Sequence, residues 1–228
     1  MDGVVVDTAK YHYLAWKKLA EELGFFFGIE HNERLKGVSR MESLNIVLEV
    51  GKIDNLTEEE KLKLAVRKNS YYRGMIDSID DSEILPGIPE FIEKLKSNNC
   101  KIALGSASKS GRMILEKLHL DSKFDAIVDG NIVERPKPDP QVFVKAAELL
   151  DIPCDECVVI EDAKAGVEAA HAGGMKCIGV GNEQVLANAD WNVSCTDELV
   201  NVEFNGTIMV SYIKAFFQTY FNESDILQ

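Results

Sequence analysis

The chain has 228 residues, 46% of them hydrophobic, with 38 acidic against 25 basic side chains and a formal charge of −13. That length and apolar content suit one large folded unit or one unit carrying an insertion, and six prolines with sixteen glycines are too few for a disordered or collagen-like chain. So acidic a molecule is a poor partner for nucleic acid or an anionic membrane, yet a local basic pocket or a bound cation can still hold an anionic small molecule.

In chain order, Val4-Val5-Val6 reads as a piece of buried strand, and residues 9–80 read as almost entirely helical. Ala9 to Leu23 places Tyr13, Trp16, Leu19, Ala20 and Leu23 at three-and-four spacing, with Gly24 as the stop. Arg40 to Val50 repeats the pattern and ends at Gly51, and Thr57-x-x-Glu60 is a capping box opening a third helix towards Met75. Ser78 to Ser82 is an acidic linker. From Leu85 the pattern changes to strands at Lys101–Leu104, Ala126–Val128, Val158–Ile160 and Cys177–Val180. These alternate with helices at Ile88–Leu95, Met113–Leu118, Pro140–Leu150 and Ala163–Ala172. Such alternation predicts an α/β fold, a Rossmann-like parallel sheet covered on both faces, interrupted by a helical insertion. The aromatic tail from Thr207 to Phe221 reads as a terminal helix packed on the core.

The five cysteines, at 100, 154, 157, 177 and 195, follow no disulfide-framework spacing, and the lone Cys154-x-x-Cys157 pair lacks a second Cys/His pair for zinc. The opening MDGVVVDT is acidic where a signal peptide is basic, and no apolar run approaches the roughly 20 residues of a membrane span. The expectation is a cytoplasmic protein.

In an open α/β sheet, ligands bind beyond the carboxyl ends of the strands. There the sequence places Ser106-Ala-Ser108-Lys109, then Asp129 leading to Lys137-Pro-Asp-Pro, then Glu161-Asp162. Any one of these has an ordinary structural explanation, as a helix cap or a solvated charge. Together, each directly after a strand, they supply hydroxyls, an ammonium and two carboxylates at one rim. That set suits phosphoryl chemistry with Mg²⁺, which takes hard oxygen ligands, while a lysine neutralises charge on the transferring group.

Asp2-Gly3-Val4-Val5-Val6-Asp7-Thr8 then resembles the first motif of the haloacid dehalogenase superfamily, Asp-x-Asp-Gly at the end of a central strand. Further segments resemble the β-phosphoglucomutase branch of that superfamily: Thr8 to His12, Trp16, Leu35-Lys-Gly-Val-Ser-Arg40, the Ser106 to Lys109 loop, Lys137-Pro-x-Pro, Glu161-Asp162 and Gly179-Val-Gly181. The resemblance implies a core at 1–8 and 82–228 with a helical cap at 9–81, and Mg²⁺ held by Asp2 (through its backbone carbonyl), Glu161 and Asp162. It makes Asp2 the general acid/base, and Ser106 and Lys137 the holders of the transferring phosphoryl. Arg40, Ser108, Lys109 and Ser110 would grip a second phosphate, Gly37 and Val38 the sugar by backbone, and Trp16 would also line the substrate. Thr8 and His12 would position Asp2 as the cap closes.

The implied reaction is interconversion of β-D-glucose 1-phosphate and glucose 6-phosphate through a phospho-aspartate and a glucose bisphosphate, by a monomer without nucleic-acid or membrane partners. A mutase must grip a bisphosphate at both ends, and the planar fork of Arg40 suits the distal phosphate.

Two departures stand out. Met1 takes the x of Asp-x-Asp-Gly, so the first Asp, the nucleophile, falls ahead of residue 1, together with the first half of the central strand. Because Met is acceptable at x, the expectation is that an internal Met has been taken as the start. In the third cap helix, where the family places a lysine facing the site, the chain is read as carrying Gly74 with Arg73 beside it. The rival readings are a sugar-phosphate phosphatase on the same core and, for a truncated chain, an inactive sugar-phosphate or Mg²⁺ binding protein.

Overall fold

A computed structural model describes residues 1–35 and 38–203. Gly37 and the tail from Thr207 to Phe221 lie outside the described residues.

Helices come first. α1 (Ala9–Glu22) buries Ala15, Trp16, Leu19 and Ala20, the apolar stripe its spacing predicts. A short α2 (Ile29–Asn32) and a turn of 3₁₀ helix at Glu33–Leu35 follow. α3 (Arg40–Val50) begins at Ser39, whose hydroxyl accepts from the Glu42 N–H at 3.2 Å. α4 (Glu58–Ile76) opens with the anticipated capping box: Glu60 N–H donates to Thr57 Oγ1 and Thr57 N–H donates to Glu60 Oε2. Trp16, Leu19, Phe27, Leu44, Val47 and Ala65 meet in one apolar cluster that holds these helices together.

The remainder alternates as expected: α5 (Ile88–Ser97), β1 (Ala103–Gly105), α6 (Gly111–Lys117), β2 (Ala126–Val128), α7 (Gln141–Leu150), β3 (Val158–Glu161), α8 (Lys164–Ala172), β4 (Lys176–Val180) and β5 (Trp191–Val193). All strand pairs are parallel. α7 packs on β1 and β2, and α8 on β3 and β4. One apolar layer centres on Phe91, Leu104, Ile114 and Ile178, and the other on Val128, Phe143, Val159 and Cys177.

Three differences from the sequence reading have physical causes. Val4–Val6 is buried as expected, but Val4 and Val5 lie in a turn whose N–H groups, with that of Val6, converge on the Met1 carbonyl, and only Val6 pairs as a bridge, with Asp2 and Ile84. A buried apolar run reports burial and leaves strand and turn undistinguished. β5 was not anticipated, since Trp191–Val193 is too short to show a period. The sheet is also divided: β1 pairs with β2 in one part, and β3, β4 and β5 form the other. An apolar slot of about 540 Å³, reached by Met1, Val4 and Val5, lies between the free edges of β1 and β3. Among the described residues no helix is long and apolar enough to cross a membrane.

Asp190 ties β4 to the helix before it, accepting from Lys176 Nζ at 2.7 Å, His171 Nε2 at 2.8 Å and the Cys177 N–H at 2.9 Å. Burial alone would raise its pKa, but these donors bring it from 3.8 to about 2. A depressed carboxylate contributes stability above its unfolded pKa and loses it as pH falls through the folded one. Replacing it by Asp190→Ala is expected to cost about 2 kcal/mol at neutral pH, chiefly from the orphaned buried N–H. Urea unfolding across acid pH should show the loss shrinking as pH falls from 3.8 towards 2.

Candidate active site

The carboxyl ends of both half-sheets meet at one rim. β1 delivers Ser106, which is 5% exposed and whose N–H donates to the Val128 carbonyl at 2.9 Å. The loop then folds on its own hydroxyls: Ser108 N–H donates to Ser106 Oγ at 3.1 Å and Ser110 N–H to Ser108 Oγ at 3.2 Å. Ser110 is buried at the start of α6, whereas Lys109 is exposed and its carbonyl accepts from Asn131 Nδ2. Beyond β2, the loop carrying Lys137 crosses to β3, where Lys137 Nζ forms an ion pair with Glu161 Oε1. Glu161 is nearly buried, and its Oε2 also accepts from the N–H groups of Asp162 and Ala163 at 3.1 Å. Gly166, in the first turn of α8, makes this fit possible, because a Cβ there would overlap the Glu161 carboxyl group.

Asp2 arrives from the chain start. Gly3 holds φ at +71°, and a Cβ on it would overlap the Asp162 carboxylate, so the chain start and the end of β3 lie in direct apposition. Burial raises the Asp2 pKa, partly offset by the nearby positive charges of the chain terminus and Lys137. Burial, the Glu161 charge and the Asp2 charge push Asp162 up to about 6. For Glu161 burial also works upward, but the Lys137 ammonium and the N–H donors hold it below the usual carboxylate range. The result is a floor of three mutually repelling acids, with the Lys137 ammonium and the chain-terminal ammonium as the positive charges acting on them. Asp2 Oδ1 is buried without a hydrogen-bond partner.

The roof is cationic. Lys68 on α4 is 2% exposed, with its ammonium 2.8 Å from His12 Nδ1 and 4.5 Å over the Trp16 ring. Burial and then the Arg40 charge bring Lys68 down to about 7. His12 stacks on Tyr72 with ring centroids 3.9 Å apart, and burial together with Lys68 and Arg40 holds its pKa well below 6.5. A neutral His12 therefore accepts at Nδ1 from the Lys68 ammonium. Arg40 opens α3, and burial and the Arg73 charge lower its pKa. Among the described residues no carboxylate lies within ion-pair distance of Arg40, Lys68 or Arg73. Thr8 Oγ1 and the Tyr72 hydroxyl, like Asp2 Oδ1, are buried without partners.

The structure thus gathers Asp2, Lys137, Glu161 and Asp162 on the floor. The Asp2 and Arg40 charges both reach Tyr72, beside which stand the Thr8 and Ser108 hydroxyls. Val38 lies half-buried in the bend before α3. Trp16 is 2% exposed inside the cap cluster, so its ring supports Lys68. The sequence reading of α4 stopped at Gly74 and Arg73 and missed Lys68, the buried lysine that the same helix places beside His12. Its signal was available, because Ala65, Lys68, Tyr72 and Ile76 form the buried stripe of α4, and a lysine on that stripe is out of place unless it has work in the interior.

Comparison with known proteins agrees with this geometry. Residues 1–174 match the haloacid dehalogenase-like hydrolase family, and the chain belongs to it. It is 42% identical over 200 residues to a β-phosphoglucomutase of Bacillus subtilis, covering 87% of this chain and 88% of that protein. It is 32% identical over 183 residues to a phosphorylated carbohydrates phosphatase of Thermotoga maritima, covering 78% and 81%. The crystal structure of β-phosphoglucomutase from Clostridium difficile superposes with a TM-score of 0.81 at 41% identity, covering 96% of this chain and 95% of that one. The fold is that of the superfamily, and its relatives here include both a mutase and a phosphatase of phosphorylated sugars.

Removing one partner of the buried Lys137–Glu161 pair strands the other charge. Lys137→Met is expected to destabilise the fold by about 3–5 kcal/mol, and adding Glu161→Gln should restore much of that loss in a double-mutant cycle read by chemical denaturation. On the roof, Lys68→Met removes a like charge, so NMR titration of His12 should show its midpoint moving up towards 6.5.

Proposed function

We propose that this site belongs to a Mg²⁺-dependent phosphosugar mutase that interconverts β-D-glucose 1-phosphate and glucose 6-phosphate through a phospho-aspartate and a glucose bisphosphate. Residues 1–8 and 82–228 form its catalytic core and 9–81 its movable cap. The observation that carries the reading is the second region of positive charge, Arg40, Lys68 and Arg73, uncompensated on the cap side of a strongly acidic protein. A phosphatase needs one phosphate grip, and a mutase that turns a bisphosphate end over end needs two.

In this reading Asp2 takes the proton from the attacking sugar hydroxyl and returns one to the leaving oxygen. Its burial, which favours the protonated form, suits that exchange. Ser106 donates to the transferring phosphoryl, and Lys137 turns towards it the N–H groups that Glu161 does not occupy. Arg40 and Lys68, with Ser108, Lys109 and Ser110, hold the phosphate that stays behind. Gly37 and Val38 meet the sugar through their backbone, Thr8 and His12 position Asp2 as the cap closes, and Trp16 acts through Lys68. The cap keeps water from the phosphoenzyme.

The floor fits a hard divalent cation. Asp2, Glu161 and Asp162 repel one another, and hard carboxylate oxygens are the ligands such an ion takes alongside water and phosphate. Bound by the Asp2 carbonyl, Glu161 and Asp162, Mg²⁺ would neutralise charge on the phosphoryl oxygens. The covalent step requires the first Asp of the Asp-x-Asp-Gly motif, whose place precedes Met1. We infer that the protein acts as a cytoplasmic monomer. The phosphatase relatives support the second reading, hydrolysis of a sugar phosphate at the same core.

Calorimetric titration with Mg²⁺ present tests the second grip. Glucose 1,6-bisphosphate should bind at least about tenfold more tightly than glucose 6-phosphate, and Arg40→Ala should erase most of that difference, a loss of about 1.5–3 kcal/mol. Equal affinities in the unaltered chain would remove the mutase reading. In a chain extended ahead of Met1 by an apolar segment ending in Asp, glucose 6-phosphate formation should exceed phosphate release by orders of magnitude. Parity would favour the phosphatase.

A further inference from the structure

Cys154 and Cys157 stand in the turn between α7 and β3 and take no part in the site described above. Residues 154–156 form a single turn of 3₁₀ helix, closed by the Cys157 N–H donating to the Cys154 carbonyl at 3.1 Å. Such a turn keeps the Cα atoms of its first and fourth residues within about 7 Å, and in 3₁₀ geometry their side chains eclipse one another. A disulfide spans Cα atoms about 4.4–6.8 Å apart, so these two thiols are placed to meet. Both side chains are half-buried against one apolar cluster, that of Val128, Phe143 and Val159. Cys177 is buried in β4, where the register sets it opposite Val159 and not Cys157. Cys100 precedes β1 and Cys195 follows β5. Among the described residues no group of three His, Cys, Asp or Glu side chains is placed to hold a metal ion, so the pair lacks the ligands of a zinc site.

We propose that Cys154 and Cys157 are a reversible dithiol–disulfide pair, a modification site that takes a low-molecular-weight disulfide. The Cys154 thiolate attacks one sulfur of the reagent, breaking its S–S bond and releasing the first small thiol. Cys157 then attacks the Cys154 sulfur, closes the protein disulfide and expels the second small thiol. The protein loses two electrons and two protons, and the reagent takes up both as it becomes two thiols. Cys154 acts first because the Cys157 Sγ–H donates to the Pro153 carbonyl at 3.4 Å. Burial and the neighbouring charges of Cys154, Glu156 and Asp155 also push the Cys157 thiol up. That sets the pair apart from exchange catalysts, whose thiols are held low, and makes it a target of oxidation. A bridged pair is restored by reduction, whereas an isolated thiol is open to irreversible oxidation. The pair precedes β3 and Glu161 ends it, so the modification is independent of the phosphoryl chemistry proposed above.

The acids between the cysteines, in a chain of formal charge −13, make a cationic disulfide the suitable probe. The reduced, folded 228-residue chain is therefore treated with an equimolar amount of cystamine. Peptide mapping should find Cys154 joined to Cys157 within one chain, with two of the five thiols lost and no reagent retained on them. Dithiothreitol should restore all five. In Cys157→Ser the reagent should instead stay on Cys154 as a mixed disulfide, at least about tenfold more than in the unaltered chain. The proposal fails if the unaltered chain keeps the reagent on Cys154 or if neither thiol reacts. It also fails if either cysteine bridges to Cys100, to Cys195 or to a second chain.

Discussion

The buried ion pair between Lys137 and Glu161 joins what the backbone leaves apart. Lys137 lies on the loop that leaves β2, in one half-sheet, and Glu161 ends β3, in the other. Among the described residues no strand ladder connects these halves, so this contact, the packing of α7 against α8 and the apolar clusters that span both align their carboxyl ends. The position of Ser106 relative to Asp162 depends on that alignment. A buried pair contributes little net stability, but it costs a great deal when half broken, and so it enforces one geometry. Here that geometry brings hydroxyl, ammonium and carboxylates to a single rim.

Around this staple the charges are sorted by layer. The floor concentrates carboxylates and the roof concentrates cations, and each layer raises its own electrostatic cost, as the shifts of Asp162 and Lys68 towards neutrality show. Lys137 offsets only part of the charge on the floor, and among the described residues no carboxylate lies within ion-pair distance of Arg40, Lys68 or Arg73. Opposed clusters of this kind suit a ligand that is itself divided, with an anionic end for each region and a cation to reconcile the floor with phosphate oxygens. Like charges packed together in this way give up stability for readiness to bind.

Under the proposed reading, the rim serves phosphoryl transfer and the cap decides between mutase and phosphatase. The chain is similar both to a protein named as a mutase and to one named as a phosphatase. In that reading Lys68 is the residue that best expresses the role of the cap. Its ammonium is fixed by a neutral imidazole and an indole face, so it is held without being neutralised.

Periodicity and end signals alone determined most of the local structure: the cap helices with their Gly24 and Thr57 boundaries, four of the five strands, and the order of Ser106, Lys137 and Glu161-Asp162 along the rim. These were legible because helix periods, capping boxes and strand ends are properties of neighbouring residues. The tertiary structure decided what depends on residues far apart. Val4 and Val5 lie in a turn because three amides share one carbonyl, and Trp16 is a support because Lys68 lies over it. Lys68 stood out only as a charge on the apolar stripe of α4, and its part in the site was decided by packing, which put it beside His12 and close to Arg40.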